Sequence, residues 1–338
     1  MSDTVLVTGG SGYIAGFIIR QLVTDGWTVH TTIRNLKREA DVRGWLDVDN
    51  SKLKFFAADL MSDDGWADAV AGCSHVAHVA SPLPSNAPKS DDELIVPARE
   101  GALRALRFAH AAGVKRLVMT SSVAAIAYGH GRDRQRFSEA DWTNVDSPDA
   151  YAYVKSKTIA ERAAREWMAA NGAGMEFVTV NPSLVLGPLL TGDFSTSLEA
   201  TKKMLEGSLP GIPNFGFSVV DVRDVADLHV KCLTAPGMAD ERFIAAGPWL
   251  TMKEIAAILK VGLGQEARKV PSRGLPDFLV KLSALFDPVL RQVVGELGNM
   301  RDTPAAHAKE RLGWQTRDAR DTITETARDM IRLGVVKV

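Results

Sequence analysis

Short predicted strands alternate with segments of helical periodicity through the first half of the chain. The strands lie at 5–7, 27–33, 53–57, 75–80, 117–120 and 176–180, and the first of them is an apolar run without polar interruption. Between them, residues 14–24, 91–112 and 150–171 place apolar side chains at the three- and four-residue spacing of amphipathic helices. Uninterrupted apolar runs are typical of strands that are buried on both faces of a parallel sheet. The pattern therefore predicts an α/β fold with a doubly wound parallel sheet.

The regular alternation ends after Pro182. Residues 187–219 are rich in glycine and proline, with one short helix predicted near 197–206. A strand at 219–222, a helix at 223–233 and a seventh strand at 243–246 look like a return to the first domain, and from Thr251 the pattern is mostly helical. We therefore predict a Rossmann domain over 1–186, to which 219–248 return. Residues 187–218 and 249–338 would form a smaller, mostly helical substrate lobe over the edge where such sheets bind ligands.

Composition and charge narrow the class of protein. The 338 residues carry 40 basic and 41 acidic side chains, a balance that gives no global positive field for nucleic acid or for an anionic membrane. Cys73 and Cys232 lie outside any CxxC or Cys/His cluster, so we expect no disulfide framework and no metal site. The chain shows no signal peptide and no apolar run of transmembrane length, and we expect a cytoplasmic protein.

The first strand leads directly into a glycine-rich turn at 8–12 and then into a helix. Glycine lets the backbone turn tightly and come close to a pyrophosphate. The N-terminus of the helix adds unpaired N–H groups and a partial positive charge. Because strand, glycine turn and helix follow one another, we interpret this stretch as a dinucleotide phosphate site rather than as a plain βα turn.

Two overlapping Tyr/Lys pairs open the helix near residue 150: Tyr151 with Lys155, and Tyr153 with Lys157. Residues four apart lie on one helical face. A lysine cation near a phenol lowers its pKa, which suits a tyrosine that gives and takes a proton near neutral pH. Spacing does not separate the two pairs, and a solvated helix face is the alternative. Small hydroxyl residues at 120–122 end the fifth strand at the same edge, where a serine can donate to a carbonyl oxygen.

Together, these motifs resemble the extended short-chain dehydrogenases/reductases, in particular the branch of dihydroflavonol reductases, cinnamoyl-CoA reductases and microbial aldehyde and ketone reductases. The resemblance covers nearly the whole chain and is carried by TGGSGYIAG at 8–16, Arg34, AADL at 57–60, HVASP at 78–82, TSS at 120–122, SEADW at 138–142, YVKSKTIAE at 153–161 and NPSLVLGP at 181–188. It implies a carbonyl reductase, monomeric or homodimeric, that transfers hydride from NADPH to an aldehyde or ketone.

The family pattern Tyr-x-x-Ser-Lys fits only the pair Tyr153 and Lys157, and implies that Tyr151 is a bystander. By resemblance, Tyr153 protonates the alkoxide, while Lys157 holds the nicotinamide ribose and lowers the pKa of Tyr153. Ser122 would orient the carbonyl, with Ser121 as its nearest competitor. The resemblance further implies a cofactor site made of Gly9, Gly12, Tyr13, Ile14, Arg34, Lys37, Asp59, Leu60, Ala80, Ser81, Pro82, Thr120, Tyr153, Lys157, Pro182 and Leu184.

The residues after the second strand favour NADP(H) over NAD. NAD sites usually place a carboxylate there for the ribose 2′-hydroxyl, whereas this chain has Arg34, Lys37 and Arg38. Arginine can bind a phosphate through two parallel hydrogen bonds, so a 2′-phosphate fits this charge. A basic helix start exposed to water is the alternative.

Two departures from the family pattern bear on function. Ala15 stands at the third glycine position of the loop, and Ala127 lies in an apolar run where flavonoid-reducing members carry an asparagine. The apolar wall disfavours dihydroflavonols and favours simpler aryl or alkyl carbonyls. Two alternative functions remain: an NAD-dependent sugar-nucleotide epimerase or dehydratase on the same fold, and a non-catalytic NADP redox sensor. Epimerases usually prefer NAD, and such sensors commonly lose the tyrosine or the lysine.

Overall fold

The computed structural model describes residues 3–82, 88, 90–193, 195–285 and 294–338. The described strands are β1 Thr4–Val7, β2 Thr28–Ile33, β3 Leu53–Ala57, β4 His75–His78, β5 Arg116–Thr120, β6 Glu176–Pro182, β7 Leu184–Leu186, β8 Gly216–Asp221, β9 Arg242–Ala245 and β10 Trp249–Thr251. The described helices are α1 Tyr13–Thr24, α2 Glu39–Leu46, α3 Trp66–Val70, α4 Asp92–Ala111, α5 Ala152–Asn171, α6 Glu199–Glu206, α7 Val222–Thr234, α8 Met252–Leu263, α9 Asp277–Ser283, α10 Ala306–Leu312 and α11 Ala319–Arg332.

Seven strands form one sheet in the order β3-β2-β1-β4-β5-β6-β9, and every neighbouring pair in it is parallel. The chain starts in the middle at β1, runs to one edge through β2 and β3, and returns at β4 to build the other half. This reversal between β1 and β4 opens a crevice at the carboxyl ends of the strands, where open α/β sheets bind ligands. The predicted doubly wound parallel sheet is confirmed, and its seventh strand is β9.

The first strand shows why the sheet reads as continuous apolar runs. Val5 and Val7 face one side of the sheet and share a core with Ile18 of α1. Leu6 faces the other side and shares a core with Trp66 of α3. All of these side chains are at most 2% exposed. Because helices cover both faces, the strand has no polar face and therefore no alternating pattern.

A second, three-stranded sheet connects the main sheet to the lobe. Its order is β10-β8-β7, with β8 antiparallel to β10 and parallel to β7. The strand predicted at 219–222 is β8, and it pairs here rather than in the main sheet, whereas α7 packs on α1 and β9 pairs with β6. Helices α8 and α11 build a separate apolar core with this small sheet, centred on Leu259, Ile323 and Met330. Within the described ranges, no helix combines the length and apolarity that crossing a membrane requires.

Candidate functional site

The carboxyl ends of the parallel strands open into a cleft of about 560 Å³. The glycine turn after β1, the loop after β4, the end of β5 and the first turns of α5 line it. It brings together all the residues predicted for the site except Lys37 and Leu184, namely Gly9, Gly12, Tyr13, Ile14, Arg34, Asp59, Leu60, Ala80, Ser81, Pro82, Thr120, Ser122, Tyr153, Lys157 and Pro182.

The glycine turn has the shape that a pyrophosphate needs. Gly9 has φ +75°, and a Cβ there would lie 3.1 Å from the Cα of Ala80. A Cβ on Gly10 would lie 2.1 Å from Oγ1 of Thr31, so the turn can come this close to β2 only without side chains. Helix α1 begins after Gly12 with no side-chain cap, which leaves its first N–H groups without an intrahelical partner. The turn therefore fits the phosphates of a dinucleotide.

Thr8 fixes the loop that follows β4. Its Oγ1 accepts hydrogen bonds from the backbone N–H groups of Val79 and Ala80, both at 3.0 Å. The Thr8 hydroxyl therefore donates its proton to Nδ1 of His78, which lies 3.0 Å from Oγ1. Burial lowers the pKa of His78 to about 3, so the ring is neutral and carries its proton on Nε2. This arrangement sets the backbone at the position where Ser81 enters the cleft.

Tyr153 and Lys157 lie one turn apart on the face of α5 that lines the cleft. The Nζ atom of Lys157 is 5.9 Å from the centre of the Tyr153 ring and donates to Oγ of Ser81 at 3.1 Å. The Ser122 hydroxyl lies beside the phenol of Tyr153 and acts to lower its pKa. Helix α5 and the end of β5 thus bring a phenol, an ammonium and a hydroxyl to one end of the cleft.

Burial dominates the ionisation of both groups on α5. It raises the pKa of Tyr153, and the hydrogen bond from Ser122 acts in the opposite direction. It lowers the pKa of Lys157 to about 8, against the attraction of the Glu161 carboxylate. The net shift of the Tyr153 pKa is opposite to the expected lowering by Lys157, because burial outweighs the effect that favours the phenolate. Tyr153 is therefore a protonated phenol at neutral pH.

The neighbouring serines at the end of β5 have different partners. Ser121 donates its hydroxyl proton to the buried carboxylate of Glu161 and its backbone N–H to Val180. The Ser122 hydroxyl accepts a hydrogen bond from the N–H of Ala124 at 3.1 Å, donates to the carbonyl oxygen of Pro182 at 3.5 Å and acts to lower the pKa of the Tyr153 phenol. Of the two serines, Ser122 is the one whose hydroxyl meets the phenol.

The basic residues after β2 differ in how far they are neutralised. Arg34 is exposed and lines the cleft, whereas a 3-10 turn at 36–38 carries the Lys37 side chain outside it. A nitrogen of Arg38 lies 2.6 Å from a carboxylate oxygen of Asp193 and 3.3 Å from one of Asp41. Within the described part of the chain, no carboxylate pairs with Arg34 or Lys37. Two cations therefore remain for an anionic ligand, and the third is engaged.

The cleft also contains residues that the sequence did not reveal: Ser11, Ser183, Val185, Ser195 and Ser197. Side chains alternate along β7, so the neighbours of Leu184 face the cleft while Leu184 itself packs against the lobe core. This alternation could have identified the cleft-facing residues from the sequence, but a strand of three residues is too short to show it. The last two serines come from the glycine- and proline-rich segment, which has no periodicity to read.

Comparisons with known proteins bear on the family. Residues 5–245 match the NAD dependent epimerase/dehydratase family. A cinnamoyl-CoA reductase of Medicago truncatula is 38% identical over 238 residues, which cover 68% of this chain and 72% of the relative. A dihydroflavonol 4-reductase of Zea mays is 30% identical over 266 residues, which cover 76% of this chain and 73% of the relative.

Solved structures agree on the fold. The yeast methylglyoxal/isovaleraldehyde reductase Gre2, complexed with NADPH, superposes with a TM-score of 0.82. The two chains are 24% identical, and the superposition covers 98% of this chain and 99% of the yeast protein. The chain therefore belongs to the NAD dependent epimerase/dehydratase family, in the group of the extended short-chain dehydrogenases/reductases.

Proposed function

We propose that this chain is an NADPH-dependent carbonyl reductase that converts an aldehyde or ketone into an alcohol. The observation that carries this proposal is the meeting of Ser122, Tyr153 and Lys157 at one end of a cleft whose glycine turn fits a pyrophosphate. The quoted relatives of Medicago and maize are both reductases by name, which supports carbonyl reduction over epimerisation.

NADPH supplies a hydride when it is bound, and this chain supplies the groups that hold it. The N–H groups after Gly12 would bind the pyrophosphate. Arg34 would bind the 2′-phosphate, with Lys37 adding charge from outside the cleft. Lys157 would hold the nicotinamide ribose hydroxyls. The choice of NADPH over NADH rests on these unneutralised cations and on the absence of a carboxylate directly after β2.

The protein's own part in the chemistry is proton transfer. Because burial raises the pKa of Tyr153, the phenol keeps its proton until a substrate oxygen becomes strongly basic. Ser122, beside the phenol, would donate its hydroxyl proton to that same oxygen and hold the oxygen close to the phenolic proton. The Lys157 ammonium, 5.9 Å from the ring, stabilises the phenolate that remains.

The segment beyond Ser122, where the sequence predicts an apolar wall, packs into the protein core. Ala127 is 2% exposed and belongs to the main core, and Ala125 and Ile126 beside it are fully buried. None of these three residues lines the cleft among the described residues, and none has a polar side chain to offer a substrate. We propose simple aryl or alkyl aldehydes and ketones as the substrate class because this segment is apolar.

Replacing Tyr153 by phenylalanine tests the proposal. Tyr153→Phe removes the proton donor and should lower kcat by on the order of a hundred- to ten-thousandfold, while NADPH still binds. Tyr151→Phe is the matched control, because Tyr151 does not line the cleft among the described residues and its ring packs edge-on against Tyr128, so its effect should be mild. Turnover is followed as NADPH oxidation with a panel of aldehydes and ketones. A larger loss in Tyr151→Phe than in Tyr153→Phe would contradict the assignment.

A further inference from the structure

A fully buried carboxylate lies one helical turn beyond Lys157. The side chain of Glu161 on α5 is 0% exposed. Burying a carboxylate is costly unless charged and hydrogen-bonding partners surround it. Glu161 has partners from three strands and from its own helix: the Ser121 hydroxyl, Nδ2 of Asn181 at 2.9 Å, Oγ1 of Thr179 at 3.1 Å, Nε of Arg242 at 2.7 Å and Nε of Arg165 at 3.4 Å.

These partners lead directly to the residues proposed for catalysis. Ser121 precedes Ser122, and the same Asn181 nitrogen that donates to Glu161 also donates to the carbonyl oxygen of Ser122 at 3.1 Å. Arg242 donates in addition to the carbonyl oxygen of Ala125, on the segment that follows Ser122. Glu161 therefore ties the end of β5, which carries Ser122, to the helix that carries Tyr153 and Lys157.

A second ion pair, on β5 and β6, shows what a purely structural contact looks like. Arg116 at the start of β5 pairs with Glu176 at the start of β6, at the end of the sheet opposite the cleft. Both pairs join an arginine to a carboxylate, but Glu161 on α5 pairs with Arg242 on β9. Only Glu161 adds hydrogen bonds to the segment around Ser122, and only Glu161 lies one turn from Lys157.

We infer that Glu161 is a positioning residue for the proposed reductase, which holds Ser122 in register with Tyr153 and supplies the negative charge that keeps Lys157 protonated. This inference rests on the proposed function. Glu161 itself does not line the cleft among the described residues. It acts on Ser122 through hydrogen bonds to Ser121 and Asn181, and it acts on Lys157 through the electrostatic attraction of its carboxylate.

The negative charge of Glu161 acts on the pKa of Lys157 in a definite direction. Groups facing Lys157 are Tyr153 on its own helix and Ser81 and the neutral His78 from β4 and its loop, while Arg165 and Arg242 face Glu161. Burial lowers the pKa of Lys157 to about 8, and Glu161 opposes that shift. Removing the Glu161 charge should lower the pKa of Lys157 further. The ammonium is then lost at a lower pH, and the alkaline limb of kcat/KM for NADPH should move toward acid, because kcat/KM reports the free enzyme.

The experiment compares Glu161→Gln with Glu176→Gln in the full-length enzyme. We expect Glu161→Gln to lower kcat by about a hundredfold through misplacement of Ser122. It should also weaken NADPH binding, measured by quenching of protein fluorescence, and shift the alkaline limb to lower pH. Glu176→Gln should keep the wild-type pH profile and NADPH affinity. Glu161→Asp, which retains the charge, should restore the position of the limb. Wild-type values of kcat, affinity and limb in Glu161→Gln would overturn the inference.

Glu161→Gln leaves Arg242 buried without its carboxylate, and thermal melting shows whether the variant folds. If it does not, the double variant Glu161→Gln/Arg242→Met removes both charges. It should fold and show the same loss of turnover, the same weaker NADPH binding and the same limb shift; wild-type values there would reject the positioning role.

If the wild-type protein reduces no carbonyl in the panel, the proposed function fails. The role of Glu161 can then still be tested through NADPH affinity, because Glu161→Gln should weaken NADPH binding and Glu176→Gln should not.

Discussion

Single residues in and beside this cleft differ in whether their polar groups are already bonded to other groups of the protein. Ser121 gives its hydroxyl proton to Glu161, and Arg38 is paired with Asp193. Arg34 lines the cleft with its guanidinium exposed, and Ser122 meets the phenol of Tyr153 there. Polar groups that the fold does not use are those that can recognise a ligand, and this distinction separates residues that look alike in the sequence.

Reversing one charge should change the choice of cofactor. Arg34→Asp removes the cation that faces the cleft and adds a carboxylate that can accept from a ribose 2′-hydroxyl. Because hydrogen bonds to charged groups contribute about 1.5–3 kcal/mol, the ratio of kcat/KM for NADPH to that for NADH should fall at least about tenfold. Arg38→Gln is the control, since Arg38 is already paired with Asp193 and Asp41. An unchanged ratio in Arg34→Asp would refute the role of Arg34.

At the level of elements, the strands and helices that are buried on the most faces were the ones that could be predicted from the sequence. Strands of the main sheet are covered by helices on both faces, so their apolar runs stand out and β9 could be predicted as well. The site residues on these strands and on α1 and α5 follow from local motifs. The short strands β7 and β10 have three residues each and leave no period to detect. The partners of Glu161 come from segments far apart in sequence, and only the fold brings them together.

The hydrogen bonds of Thr8 link two elements, β1 and the loop after β4, and this link is testable. Thr8→Val keeps the shape but leaves two half-buried N–H groups and the buried Nδ1 of His78 without their partner. We expect a loss of about 1–3 kcal/mol in the free energy of unfolding, measured with urea, and weaker NADPH binding because the loop carries Ser81. Thr4→Val is the control, since no hydrogen bond of the described residues involves the Thr4 side chain. Equal stability of both variants would exclude this role.

On the scale of the whole molecule, one segment of the lobe joins the two cores across the cofactor side of the cleft. On one side it is bonded to α11, where the N–H of Gly187 donates to Thr326 and that of Leu189 donates to Asp329. On the other side, Asp193 pairs with Arg38 after β2. The segment therefore spans from the lobe to the loop that would bind the 2′-phosphate, and a change in its charge should be felt by that phosphate.

Asp193→Asn tests whether the lobe influences cofactor selection. The substitution removes the closer of the two carboxylates paired with Arg38, so that Arg38 can interact more strongly with a 2′-phosphate. Since the two side chains are 47% and 67% exposed, we expect NADPH to bind only about two- to fivefold more tightly, with little change in stability. The gain should shrink in high salt, which screens exposed charges. NADH lacks the 2′-phosphate and serves as the control ligand. Equal changes for NADH and NADPH would show that the segment acts on the shape of the cleft instead of on the phosphate.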